Sequence, residues 1–184
     1  MTTPKAKLIT AEEILMLPDD GKYYELLDGE LVELMPAGVG HGKMSAKTIH
    51  RLLTFVGAGD LGEVVSNDAG IILGRDPDRV RGPDVCFISR ERLPAGGLPR
   101  GYLEIVPDFI IEVVSPSDRA SEVEAKMEEW VRAGARLAWA MYPDTRSIVA
   151  YQSLAAVRVY AETDIIDAAP VLPEFSLRVA DLFR

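Results

Sequence analysis

Two carboxylates stand where carboxylates are costly. Asp84 opens the run Pro83-Asp84-Val85-Cys86-Phe87-Ile88, and Glu112 lies inside Phe109-Ile110-Ile111-Glu112-Val113-Val114. Runs this apolar read as strands covered on both faces. An ionised acid there is strongly unfavourable unless a cation or a set of hydrogen bonds compensates it. Two oxygen donors on what could be adjacent strands, completed by water, suit Mg²⁺ or Mn²⁺. No Cys/His cluster has zinc spacing, so metal-assisted chemistry on a hard cation is the first hypothesis. Each acid also has a plainer reading. Glu112 could face water from an edge strand, and Asp84 could bond backbone amides at a strand entry.

Other candidates surround this pair. Lys126 falls at the margin of a helical stripe formed by Val123, Met127, Trp130, Val131 and Gly134, with Glu122, Glu128 and Glu129 further outward. A lysine there either reaches over a strand end or is solvated with a buried stem. Glu25 and Glu30 share one face of a hairpin, as accessory acids or as an exposed ribbon face. His41, among glycines, is either an accessory group or a cap. Lys43, Lys47 and Arg51 repeat every four residues in a stretch with no acid between Glu33 and Asp60. They form a solvated helix face or a phosphate-facing one, and Arg81 joins them as a phosphate-binding candidate.

Elements must hold these groups in place. Thr10 and Glu13 make a capping box for a short helix over 12–17. Residues 23–35 read as a hairpin around Asp28-Gly29. Gly38-Val39-Gly40-His41-Gly42 leads into a helix over 43–56 with an apolar stripe at Met44, Ile49, Leu52, Leu53 and Val56. Strands over 63–66 and 70–73 flank an Asn67-Asp68 turn. A loop over 74–82 carries Arg75, Arg79 and Arg81, and 90–102 is a Pro/Gly-rich connection. Ser117 or Asp118 caps a helix that runs to Ala133 and stops at Gly134. Strands over 136–142, 147–152 and 157–161 precede a short closing segment at 173–183. With no repeat or linker, residues 1–184 read as a single domain of α/β (α+β) class.

Bulk properties agree. The 184 residues are 48% hydrophobic and 27% charged, as in a soluble globular protein large enough for a real core. Residues 1–7 lack a signal-peptide core and no apolar run spans a membrane. The single cysteine, Cys86, fits a reducing compartment, so a cytoplasmic location is expected. The net charge of −9 argues against a protein that coats nucleic acid, though not against a local basic surface.

Taken in order, Tyr24-Glu25-Leu26-Leu27-Asp28-Gly29-Glu30-Leu31, Pro83-Asp84-Val85, Glu112-Val113-Val114-Ser115-Pro116-Ser117-Asp118 and Lys126 resemble the motifs of the Uma-two family of restriction-endonuclease-like proteins. The resemblance runs from about Thr10 to the closing segment. It implies the PD-(D/E)XK nuclease fold, a restriction-endonuclease-like mixed central sheet flanked by helices with an N-terminal hairpin. It further implies an endonuclease hydrolysing phosphodiesters in DNA, with Asp84 and Glu112 as metal ligands and Lys126 as the third catalytic residue. One departure is plain: the motif lysine belongs two residues after Glu112, where Val114 stands. Trp130 also replaces a tyrosine at what reads as an aromatic packing position.

Two rivals remain. A catalytically inactive member would keep the fold as a nucleic-acid- or protein-binding module. An assembly protein would pair its buried acids with arginines such as Arg81 or Arg136. Convergence of Lys126 on the acids is the discriminating geometry. A homodimer is expected, gathering the Lys43/Lys47/Arg51 faces and the 75–81 loops around one groove.

Overall fold

The structure is a computed structural model that describes residues 8–67 and 69–184. The reading of residues 1–7 and the Asp68 half of the Asn67-Asp68 turn lie outside the described residues. Along the chain run α1 (Ala11–Leu15), β1 (Tyr23–Leu27), β2 (Glu30–Leu34), α2 (Val39–Gly59), β3 (Gly62–Ser66), β4 (Ile71–Gly74), β5 (Arg79–Arg81), β6 (Val85–Ser89), β7 (Phe109–Val113), α3 (Ala120–Ala133), β8 (Leu137–Tyr142), β9 (Ser147–Ser153), β10 (Ala156–Tyr160), β11 (Ile165–Ala168), β12 (Leu172–Arg178) and α4 (Ala180–Phe183).

A mixed six-stranded sheet in the order β10-β9-β8-β7-β6-β3 forms the centre. β7 and β8 are parallel, which requires a crossover, and α3 supplies it. Every residue of β7 is buried. Alternation sends Phe109, Ile111 and Val113 toward α2, into one cluster with Val85, Phe87 and Trp139. It sends Ile110 and Glu112 toward α3, beside Cys86, Ala138, Met127 and Trp130. Since β7 lies between β6 and β8, the edge-strand reading of Glu112 does not hold.

A second sheet, β2-β1-β5-β4, packs over its own small core of Ala11, Ile14, Leu26 and Val80. Its hairpin turns at Asp28 and Gly29, both at positive φ (52° and 79°). That is the conformation Asp-Gly supplies in a two-residue turn. Thr10 and Glu13 complete the expected capping box on α1.

Several elements differ from the sequence expectation. α2 begins at Val39 instead of 43, taking in Gly40 and Gly42. The buried stripe of Met44, Thr48, Leu52 and Val56 docks the helix, and such packing outweighs the low helical propensity of glycine. β3 and β4 are not partners: β3 pairs with β6, and β4 with β5 in the other sheet. Arg79–Arg81, read as loop, is a strand. The N-cap of α3 is Arg119, with no side-chain bond. Asp118 Oδ2 instead accepts from the Ser115 N–H at 2.8 Å. β11 was not anticipated, and it pairs with β12 in the closing segment. Among the described residues no helix is long and apolar enough to cross a membrane.

Candidate active site

Asp84 immediately precedes β6, where Val85 pairs with Ile111 of antiparallel β7. Continuing that register by one residue sets Asp84 across from Glu112. Asp84 Oδ2 accepts the Val113 N–H at 2.6 Å and lies 3.1 Å from His41 Nε2 in the first turn of α2. The amide-bonding role read for Asp84 is therefore real and coexists with its place beside Glu112. His41 belongs to a helix turn facing this acid, not to a loop.

Glu112 is 7% exposed. Its Oε2 accepts from Lys126 Nζ at 2.9 Å, and its Oε1 accepts from Trp130 Nε1 at 2.8 Å. Lys126 and Trp130 are four apart on α3, so one helix face brings an ammonium and an indole N–H to one carboxylate. Val114 packs its side chain against the α3-side cluster while its N–H donates to the Met141 carbonyl at 2.8 Å. The cation missing from β7 thus arrives from the neighbouring helix.

Ion pairs between β1, β5 and α3 tie the hairpin sheet to this centre. Glu25, 3% exposed, accepts from Arg81 Nη1 at 2.6 Å and from the Gly82 N–H at 3.1 Å. Lys126 Nζ is 3.7 Å from Glu25 Oε1, so it stands between two buried acids. Arg81 also binds Glu129, and Arg79 bridges Glu129 to Asp28. Glu129, expected to point outward, is a half-buried link in the network. The guanidinium of Arg81, read as a phosphate binder, is committed to Glu25 and Glu129. Arg75 likewise bridges Glu12, Asp78 and Glu104. Both arginines are therefore engaged within the molecule instead of facing a groove.

The electrostatics follow from burial. Burial pushes the Glu112 carboxyl up to about 7; Lys126 pulls against that, and the nearby Asp84 charge adds to it. Burial alone would lower the Lys126 ammonium, but the charges of Glu112 and Glu25 outweigh it and hold it above the ordinary lysine value. Cys86 has its thiol pushed up to about 12 by burial and is inert.

Five carboxylates (Asp84, Glu112, Glu25, Glu129 and Asp28) meet three cations (Lys126, Arg81 and Arg79) in this connected region. With all eight ionised the excess is two negative charges, and His41 stands beside Asp84 as a further basic group. Asp84 and Glu112 are hard oxygen donors of the kind Mg²⁺ and Mn²⁺ accept, with water filling the shell. Among the described residues no group of three or more His, Cys, Asp and Glu is arranged to hold a metal. Asp84 and Glu112 are thus two adjacent oxygen donors, with Lys126 and Trp130 already on the two oxygens of Glu112.

The pair opens onto a cleft of about 730 Å³ bounded by His41, Ser45, Asn67, Ser117 and Lys126. Glu30 shares its hairpin face with Glu25 but is exposed. Lys43, Lys47 and Arg51 lie on the opposite flank of α2 and line a separate concavity. Sequence reasoning missed the Trp130 donor and the roles of Glu25 and Glu129, while the reading of Arg81 and Arg136 as partners of buried acids is met by Glu25 and Asp108. The Trp130 signal was available, since an indole one turn from a candidate lysine has an N–H to place.

A family comparison matches residues 11–180 to Uma2, described as "Putative restriction endonuclease". The chain belongs to the Uma2 family. Among solved structures, this Uma2 chain is similar to a putative nuclease belonging to DUF820 from Anabaena variabilis ATCC 29413. The two are 22% identical with a TM-score of 0.81, over 95% of this chain and 97% of that one. At that identity the likeness establishes the fold: the restriction-endonuclease-like mixed sheet with flanking helices. No curated protein matches the Uma2 chain.

Proposed function

We propose that the protein is a divalent-metal-dependent endonuclease that hydrolyses phosphodiester bonds in DNA. The observation that carries this is the convergence of Lys126 on Glu112 at 2.9 Å, beside Asp84, in an open cleft. Asp84 and Glu112 would hold Mg²⁺ or Mn²⁺. The bound cation would supply Lewis acidity and a more acidic water.

The chain's own residues do the rest. The Val113 N–H fixes the Asp84 carboxylate, and the Trp130 N–H fixes that of Glu112. Lys126 places a positive charge where a phosphoryl oxygen gains negative charge during in-line displacement, in a partly dry site where such charge counts for more. His41, on the far side of Asp84, either steadies that carboxylate or takes up a proton at Nε2. Glu25 keeps Lys126 from being held by Glu112 alone.

A second reading rests on one specific observation: Lys126 and Trp130 already satisfy both Glu112 oxygens. On that reading the fold is kept as a binding module without turnover. Cleavage of plasmid and single-stranded DNA in Mn²⁺ and in Mg²⁺ separates the two, comparing wild type with Asp84→Ala, Glu112→Ala and Lys126→Ala. The catalytic reading expects loss of cleavage in all three variants. Equal activity across the set removes the site assignment, and no activity in wild type favours the binding module. The expected homodimer belongs to the same reading, and light scattering at micromolar concentration that returns a monomer would remove it.

A further inference from the structure

In a chain of net charge −9, the cations are very unevenly committed. Arg75, Arg79, Arg81, Arg92 and Lys126 are all held in ion pairs. Lys43, Lys47 and Arg51 make none among the described residues. They repeat every four residues, so they form one row about 12 Å long on α2 at 1.5 Å per residue. With Arg184, itself paired to Asp181 at 4.0 Å, they line a shallow concavity of about 710 Å³.

This concavity is not isolated from the cleft. α2 lies between the two: His41 and Ser45 face the acids, and the basic row faces the other way. Ala46 lines both hollows, and Gly42 beside it is exposed, with open space around it. The ridge between cleft and basic row therefore carries a methyl group and a hydrogen where a long side chain would block passage.

We propose that a nucleic-acid strand bound in the cleft crosses α2 over Gly42 and Ala46 and lays its phosphates on Lys43, Lys47, Arg51 and Arg184. This deepens the nuclease reading and rests on it. Unpaired cations in a row match a run of phosphates, and phosphate contacts position a strand without reading its bases. The row also offsets locally the repulsion that the overall charge imposes on a polyanion. An acidic protein thereby acquires a substrate track on one helix.

The test is equilibrium binding of a fluorescein-labelled 20-mer, single-stranded and duplex, in EDTA across a salt series. Each phosphate neutralised contributes roughly 0.7 (single strand) to 0.9 (duplex) to the slope of log affinity against log salt. Lys43→Gln/Lys47→Gln/Arg51→Gln should lower the slope by roughly 2 to 3 and weaken binding at least about tenfold at low salt. Ala46→Trp should weaken binding and lower the slope toward that of the triple variant, since a blocked ridge keeps the strand from reaching the row. If the triple variant folds poorly by thermal melt, Lys43→Gln and Arg51→Gln alone should each remove roughly one phosphate's share.

An unchanged slope in the charge variants, or wild-type affinity in Ala46→Trp, overturns the proposal. So does binding to phosphatidylglycerol vesicles that the triple variant loses while its DNA binding stays intact, which would assign the row to a lipid surface. DNA cleavage with an unchanged slope sinks this path and leaves the nuclease reading. Normal slope effects without cleavage in Mn²⁺ sink turnover and leave the path.

Discussion

At the scale of single residues, Glu112 decides the most. Its carboxyl sits above the ordinary value because burial disfavours the charged form, so folding favours the protonated acid. That contribution is whole below about pH 4.5 and fades as pH rises through about 7. Wild type should therefore lose stability relative to Glu112→Gln over this window, by on the order of 1–3 kcal/mol. Urea unfolding of both proteins from pH 4.5 to 8 measures it, and parallel pH profiles would contradict it. Lys126→Met leaves the buried carboxylate without its cation, which costs about 3–5 kcal/mol above pH 7 and less at low pH, where Glu112 can protonate. Thermal melts at pH 5 and pH 8 check that difference. Trp130→Phe keeps most of the packing but removes the donor to Glu112 Oε1. A hydrogen bond to a charged group is worth about 1.5–3 kcal/mol, so a loss of that size is expected by urea titration. The nearness of Asp84, Glu112 and Lys126 was legible in the sequence because acids in apolar strands are conspicuous and the family resemblance sets Lys126 on the following helix in place of the lysine missing at Val114. Trp130 was not read as polar because an indole in an apolar stripe looks like packing until its N–H is placed.

At the scale of elements, the hairpin sheet and α3 are joined by charge where an apolar face would be the ordinary glue. Arg81 is raised above its usual value because the charges of Glu25 and Glu129 outweigh the burial that would lower it. Arg81→Met would take the nearest cation from Glu25, which is 3% exposed and would keep only Lys126 at 3.7 Å, and would leave Glu129 to Arg79 alone. The expected cost is about 3–5 kcal/mol, with faster amide exchange in β1 and β5 than in β7. Uniform acceleration across both sheets would show that the network does not couple these particular elements. The hairpin itself was legible because Asp28-Gly29 dictates its turn. β5 was not: three residues with two arginines carry no apolar period, and their strand state comes from pairing with β1 and β4. The fate of β3 and β4 was hidden for a related reason. Two short runs near one turn suggest a hairpin, but β3 finds its partner in the distant β6 while β4 turns back on the nearby β5, so the two join different sheets. The early start of α2 was concealed by glycines whose low propensity is overruled by the buried stripe that follows.

At the scale of the molecule, the metallonuclease reading requires that a divalent cation held by Asp84 and Glu112 stabilise the whole fold. A ligand that binds only the folded state stabilises it by RT ln(1 + [L]/Kd), about 2.7 kcal/mol at a hundredfold excess over Kd. For a chain of this size that is a rise in Tm of roughly 5–10 °C. Mn²⁺ titrated into the wild type under calorimetry should give such a rise, growing with the logarithm of concentration beyond Kd. Asp84→Asn and Glu112→Gln should each remove the dependence, while Glu30→Gln, on the same hairpin face as Glu25 but exposed, should retain it. Since the readout is stability and not turnover, it holds for an active enzyme and for an inactive binding module alike. A Tm indifferent to Mn²⁺ and Mg²⁺ in wild type would mean that Lys126 and Trp130 satisfy Glu112 without a metal, and the metallonuclease reading would fall with it.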